Sequence, residues 1–298
     1  MASMKIGKGN PSDAQSYAAA AYSFQTNPKV VNIPLEKNDI SYSKTETTSR
    51  IPFIHSQGIV APRAIIINGT CYGTTKRTIF RGLQSEIYDN DIKRFWINST
   101  HYYEVMGQNI RETLAGERTN FIDYVGNLVT VQPYLQEATN RTATITITDE
   151  GDTVLNGAAC GGSPGQFQNT GNAPAFVTWK FVNSSDNIKK IEISDGTIAG
   201  GRHILTWKES TGFATANTLE IFPVYYLYES VQGDFKVAEP ASPIKSSAVF
   251  GSRTIDGIHP PSIDAGSTDQ AFHIKINDGE SGSVSCVVTA TWHYSYTG

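Results

Sequence analysis

The stretch Val284–Gly298, VSCVVTATWHYSYTG, decides how the rest of the chain is read. Successive side chains of a strand point to opposite faces. With period two, Val284, Cys286, Val288, Ala290, Trp292, Tyr294 and Tyr296 fall on one face, which is apolar throughout. Ser285, Val287, Thr289, Thr291, His293 and Ser295 fall on the other, which is mostly polar. This alternation predicts a half-buried strand. Read as continuous from Val284 to Tyr296, it would be roughly 40 Å long at about 3.3 Å per residue. Each buried Val or Trp on it contributes about 1.5–3 kcal/mol. The expectation is an integral, near-central strand rather than a fraying tail.

Composition agrees with a β protein. The chain has 298 residues, of which 39% are hydrophobic and only 17% charged. Few charges with abundant Thr, Ser, Asn, Gly and Tyr suit strands better than helices. The net charge of −4 implies no strong non-specific nucleic-acid surface. No apolar run reaches the roughly 18 residues of a membrane helix. The start, MASMKIGKGNPSDAQS, carries two lysines without an apolar core and is not read as a secretory signal. Cys71, Cys160 and Cys286 are odd in number and widely spaced, which argues against a disulfide framework or a zinc site. The sequons at Asn68, Asn98, Asn140 and Asn183 are expected to be unused.

Upstream, NPSDAQSYAAAAYSF predicts a short amphipathic helix. Asn10 is its cap, Pro11 its first residue, and Tyr17, Ala20, Ala21 and Phe24 its apolar stripe. From residue 29 the chain alternates. APRAIIINGTCYGT reads as a strand with a turn at Asn68–Gly69, KRFWINSTHYYEVMG as paired strands, and ERTNFIDYVGNL as a short helix. After a polar stretch at residues 135–142, TATITIT, AFVTWKFV, KKIEIS, RHILTWKES, NTLEIFPVYYLYES and AFHIKIND follow as further strands. AEPASPIKSS reads as a loop or sheet edge. The fold class is therefore all-β: two consecutive jelly-roll-like antiparallel β-sandwiches, a short N-terminal helix and few other helices. The expected division is an arm at residues 1–28, a first sandwich at 29–138 and a second at 139–298.

No catalytic residue, metal ligand set or cofactor site is expected, and the chain is not read as an enzyme. Gly161-Gly162-Ser163-Pro164-Gly165 fits the G-x-S-x-G nucleophile elbow, but Pro164 has no N–H to serve as an oxyanion donor. His55, His101, His203, His259, His273 and His293 show no i, i+4 pair. Asp149, Glu150, Asp152, Asp278 and Glu280 lie in turn sequences, where calcium is the alternative to plain turns. Trp179, Trp207, Tyr225, Tyr226 and Tyr228 are the residues that could make a sugar-stacking platform. The alternation of PVYYLYES points to burial or a subunit contact instead.

At the level of architecture, with the doubled β series, the short arm and the closing strand, the whole chain resembles the double jelly-roll major capsid proteins of icosahedral bacteriophages with an internal membrane. The resemblance implies a structural virion protein that self-assembles, as trimers, into an icosahedral shell. It implies minor capsid proteins as further partners, an arm that touches the internal membrane, and location in a virion assembled in the host cytoplasm. The arm has only Lys5 and Lys8, so it lacks the basic density that phosphate neutralisation by RNA-packaging arms requires. The alternative is a β-sandwich carbohydrate- or receptor-binding protein without catalysis.

Overall fold

The computed structural model describes residues 3–9, 14–32, 37–38, 54–55, 58–60, 63–89, 91–115, 120–148, 151–155, 167–195, 204–216, 218–221, 235–239, 242–245, 261–277 and 283–297. The chain divides into two compact units. Met1–Asn38, Val60–Ala138 and Thr297–Gly298 make the first; Asp39–Ile59 and Thr139–Tyr296 make the second.

The first part of the chain runs through β1 (Lys5–Lys8), β2 (Tyr22–Ser23), β3 (Lys29–Asn32), β4 (Lys37–Asn38), β5 (Ile54–His55), β6 (Gly58–Val60), β7 (Ala64–Tyr72), α1 (Lys76–Tyr88), β8 (Lys93–Trp96), β9 (His101–Ala115), β10 (Phe121–Thr130) and β11 (Leu135–Glu137). Its main sheet is antiparallel, in the order β2-β1-β8-β9-β10-β7-β3. Helix α1 packs on one face. Phe80, Leu83 and Ile87, at i, i+3 and i+7, are fully buried and share a core with Ile65, Ile67 and Leu128 of the sheet. Gly73, at φ +90°, turns the chain from β7 toward the helix in a conformation that suits glycine. In this unit the helix supplies the apolar cover that a second sheet would give in a sandwich.

Three local expectations are corrected here. The N-terminal helix does not form among the described residues. Lys5–Lys8 instead pairs with both β2 and β8, and the Gln15 side-chain oxygen accepts from the backbone N–H groups of Lys8 and Ala21. Strand pairing and burial of Ile6 and Phe24 outweigh the small helix preference of the alanines. Asn68–Gly69 is not a turn: β7 runs straight through it, paired with Val125 and Tyr124. Phe121–Thr130 is a strand rather than a helix, with burial alternating residue by residue. The one helix among the described residues, α1, lies between the segments that read as strands, APRAIIINGTCYGT and KRFWINSTHYYEVMG.

The second part comprises β12 (Arg141–Ile147), β13 (Gly151–Leu155), β14 (Ala175–Asn183), β15 (Ile188–Ser194), β16 (Ile204–Phe213), β17 (Thr218–Ile221), β18 (Phe235–Glu239), β19 (Ser242–Lys245), β20 (Ser262–Ile263), β21 (Phe272–Ile276), β22 (Cys286–Trp292) and β23 (Ser295–Tyr296). One sheet runs β12-β22-β14-β17-β18-β19 and the other β13-β21-β15-β16. Counting β12 to β17, β21 and β22 as one to eight, the sheets read 1-8-3-6 and 2-7-4-5. That is the strand order of an eight-stranded jelly roll. Trp179, Phe181 and Val288 of the first sheet share a core with Ile193, Trp207 and Ile274 of the second. The hairpin β18–β19 extends the first sheet, with Pro243 on its last strand, where a missing N–H is tolerated.

The closing strand is central, as expected: β22 lies between β12 and β14. It is shorter than expected. The strand ends at Trp292, its burial alternation continues through His293 and Tyr294, and Ser295 is then buried against the pattern. This break is fixed by Asn169, whose side-chain oxygen accepts from Gly171 and Ser295, and by the Ala173–Ser295 bridge.

Candidate functional site

Among the described residues, those singled out in the sequence do not converge. Ser163 and Cys160, His203 and His259, Asp149, Glu150, Asp278 and Glu280, and Tyr225, Tyr226 and Tyr228 lie outside the described residues. Among the described residues, no three His, Cys, Asp or Glu side chains come together as a metal site. His101 opens β9, with its Nδ1 2.9 Å from the Thr100 hydroxyl. His273 sits on β21 opposite Val154 and Ser194. Trp179 and Trp207 are 1% and 0% exposed, so their rings serve the core and are closed to a sugar. Trp179 meets Phe272 edge-on at 5.2 Å.

The structure does assemble one polar cluster, on strands β8 and β9. Arg94 is paired with Glu104 and Trp96 with Tyr102 across the ladder. Phe95, Tyr103 and Val105 point into the core shared with α1, so alternation puts these four on the opposite sheet face. There they form a stack. The Arg94 guanidinium lies 4.6 Å from the Tyr102 ring centroid, and the Tyr102 and Trp96 rings are 4.7 Å apart. Tyr17 meets Trp96 edge-on at 5.9 Å, and the Lys5 ammonium stands 4.5 Å from the Tyr17 ring. Cations thus cap both ends of a three-ring column, which uses the negative faces of the rings. This is what the N-terminal segment does in place of a helix: it docks Tyr17 and Lys5 onto its own unit. Lys5 Nζ donates to the Tyr17 carbonyl, and the Tyr17 hydroxyl to the Ser3 carbonyl.

Glu104 closes the column. Burial raises its carboxyl above the usual carboxylate range, and the Arg94 charge opposes that rise. The Gln132 side chain hydrogen-bonds the Glu104 carboxyl, while Arg94 Nε and Trp96 Nε1 are buried and have no protein acceptor among the described residues. A second ionic group stands on the α1 face. Lys93, 2% exposed, reaches Asp89 at 2.7 Å and Glu86 at 3.5 Å. The hydrogen bond from Lys93 holds the Asp89 carboxyl below its ordinary range.

Neither group joins a nucleophile to a general base, and both tie elements together. The sequence carries a trace of the first. KRFW and YYEV, read as paired strands, alternate Arg and Trp against Tyr and Glu, but only the register shows that these four meet.

No protein-family model matches the chain, and no curated protein matches it. Among solved structures, the chain is similar to the Dit protein (gp 19.1) of phage SPP1, described as a hub of the adsorption apparatus in phages infecting Gram-positive hosts. The identity is 11%, over 91% of this chain and 90% of that one, with a TM-score of 0.39. It is also similar to a chain of the phage P2 baseplate in its activated conformation with Ca, at 10% identity over 96% and 97% of the two chains and a TM-score of 0.44. For the same baseplate with Sr the values are 9%, 96%, 97% and 0.42.

Proposed function

We propose that the chain is a structural, non-catalytic component of a bacteriophage particle, acting through self-association and contacts with other virion proteins. The observation that carries this reading is the jelly-roll strand order of the second unit. Jelly rolls recur in viral shells and in lectins. The lectin alternative loses two of its five platform rings, because Trp179 and Trp207 are enclosed in the core.

The first unit bears on where in the particle the chain belongs. A doubled capsid fold needs a second sheet opposite the first, and among the described residues α1 packs on that face of the first unit's main sheet. The proposal therefore covers a shell component and a component of a tail assembly such as a baseplate. Contact of the N-terminal segment with a membrane is not part of it, since Ile6 and Phe24 are buried in their own core. Among the described residues, no helix is long and apolar enough to cross a membrane.

The test is antibody labelling of purified particles in the electron microscope, with heads and tails separated and analysed by mass spectrometry. The reading expects the chain in one of the two fractions. Its absence from both overturns the proposal.

A further inference from the structure

The outer face of the β12-β22-β14-β17 sheet has an unusual composition. Paired residues of neighbouring strands share a face, so three rows can be read across it. Thr142, Thr291 and Thr178 make the first row. Thr144, Thr289, Lys180 and Glu220 make the second, and Thr146, Val287, Val182 and Thr218 the third. Thr142, Thr144, Thr146 and Lys180 are exposed and the others half-buried. The Thr144 and Thr289 hydroxyls are 3.2 Å apart, and Lys180 Nζ stands 3.6 Å from the Glu220 carboxylate.

We infer that this face is a contact surface for a second copy of the same chain. The inference rests on the reading of the protein as a particle component and names the surface that association would use. Three features point to a second copy. First, the face is composed mainly of Thr and Val, which are stiff at χ1 and lose little side-chain freedom on packing. Second, these three rows carry no aromatic ring, and the outer face of β14 offers a sugar only Phe176, one row beyond them. Third, the paired charges at the middle of these rows, Lys180 and Glu220, are complementary to a second copy of themselves, and the row continues beyond them to Lys236 and Lys245 on β18 and β19. The chain carries a net charge of −4, so copies repel one another unless the meeting surfaces are neutral or matched.

A two-fold axis parallel to the strands, between β14 and β17, satisfies this requirement. It sets Lys180 of one copy against Glu220 of the other, twice, and Val182 against Thr218. Contacts related by such an axis are isologous and close on themselves. Four strands at about 4.8 Å and three rows at about 6.8 Å cover roughly 300–400 Å² per copy. A stable dimer buries about 800 Å² per partner, so this contact alone is weak and gains strength only when other contacts hold the copies close.

The experiment is sedimentation equilibrium up to about millimolar protein, with two-colour energy transfer to follow mixing. The variants are K180E, E220K and the double swap K180E/E220K, each checked for folding by near-ultraviolet circular dichroism. Each single variant should weaken self-association about tenfold or more, because like charges then meet. The double swap should restore self-association, since it also keeps the pair within each chain. It should not mix with the wild type, because Lys then faces Lys and Glu faces Glu. Thr144→Lys, on an exposed position of the same face, gives a second disruption that leaves the pair intact. If the wild type associates and the double swap mixes freely with it, the surface is wrong while the reading as a particle component stands. If the wild type is monomeric at every concentration and also absent from particles, both fall. If it is present in particles but monomeric in solution, the same pairing rule applied to incorporation of the variants decides the surface.

Discussion

Tyr124 lies across Gly69, its cross-strand partner: a Cβ added at Gly69 would stand 2.3 Å from the Tyr124 hydroxyl oxygen. Glycine in a strand interior ordinarily weakens it. Here it makes the space that the ring fills, and the ring restores the apolar contact that glycine lacks. Gly69→Ala should therefore destabilise the protein by about 1–3 kcal/mol through overpacking, despite alanine's better backbone entropy. Urea unfolding of the two proteins measures this. An unchanged midpoint would mean that Tyr124 can move aside at no cost.

Glu104 gives the pH dependence a sign. Its folded pKa is raised by burial, so between the ordinary value near 4.3 and the folded value the native state holds more protons than the unfolded state. Stability from this group is greatest at low pH and falls as pH rises through that window. Glu104→Gln removes the titration. The stability of the variant relative to wild type should rise as pH increases from about 4 until the folded carboxyl has ionised, by roughly 1.4 kcal/mol for each unit that the folded pKa lies above the unfolded one. Thermal melts at four or five pH values show the slope. A flat difference would mean that the carboxyl is solvated in the folded protein.

Lys93 is the buried partner of its network, whereas Asp89 and Glu86 are 48% and 24% exposed. The two ways of breaking the network should therefore differ. Asp89→Asn with Glu86→Gln strands a buried ammonium and should cost about 3 kcal/mol, while Lys93→Met leaves two wetted carboxylates and should stay within about 1 kcal/mol. The Asp89 pKa is lowered, so its contribution is complete above the ordinary value near 3.9 and lost as pH falls through the lower folded value. Chemical denaturation of the two variants at neutral pH ranks them, and the reverse order would refute the assignment of burial.

How far the sequence could be read depended on whether the signal was local. Period-two burial along β10, β14 and β22 is a local pattern, and the β14 and β22 segments were readable as strands without any partner in view. The all-β class follows from such segments. What local reading missed depended on partners. The alanines after Tyr17 favour a helix by themselves, and only the pairing of Lys5–Lys8 with Tyr22–Ser23 and with β8 makes them the turn between two strands. Asn68–Gly69 has turn chemistry, and only Tyr124 on the neighbouring strand explains why the glycine stands in mid-strand. The Arg94–Glu104 and Lys180–Glu220 relationships are properties of register, which no single strand displays.

The two described cysteines should be inert in the folded protein. Both are buried, and burial pushes the Cys286 thiol up to about 12 and raises Cys71 as well. The thiolate is the reactive form, so neither should react with a maleimide near neutral pH. In a Cys160→Ser background, labelling should track unfolding across a denaturant series. Rapid labelling of native protein would show that one of these strands opens locally.

Trp292 sets how much of the C-terminus the fold requires. It is 1% exposed, its Nε1 donates to the Gln168 carbonyl at 2.9 Å, and its ring stacks on Phe167 at 5.1 Å. Its strand is bonded on both sides, to Arg141 in β12 and Val177 in β14. Trp292→Ala should cost about 3–5 kcal/mol. Deleting residues 291–298 removes this ring together with the ladder bonds of Thr291 and should unfold the second unit. Deleting only 297–298 removes the Thr297 carbonyl that accepts from Arg63, a single charge-assisted bond of about 1.5–3 kcal/mol. Near-ultraviolet circular dichroism and limited proteolysis of the three proteins separate these cases, because loss of tryptophan packing abolishes the aromatic signal while the shorter deletion keeps it. A folded 1–290 fragment would place the hydrophobic anchor elsewhere in the sandwich.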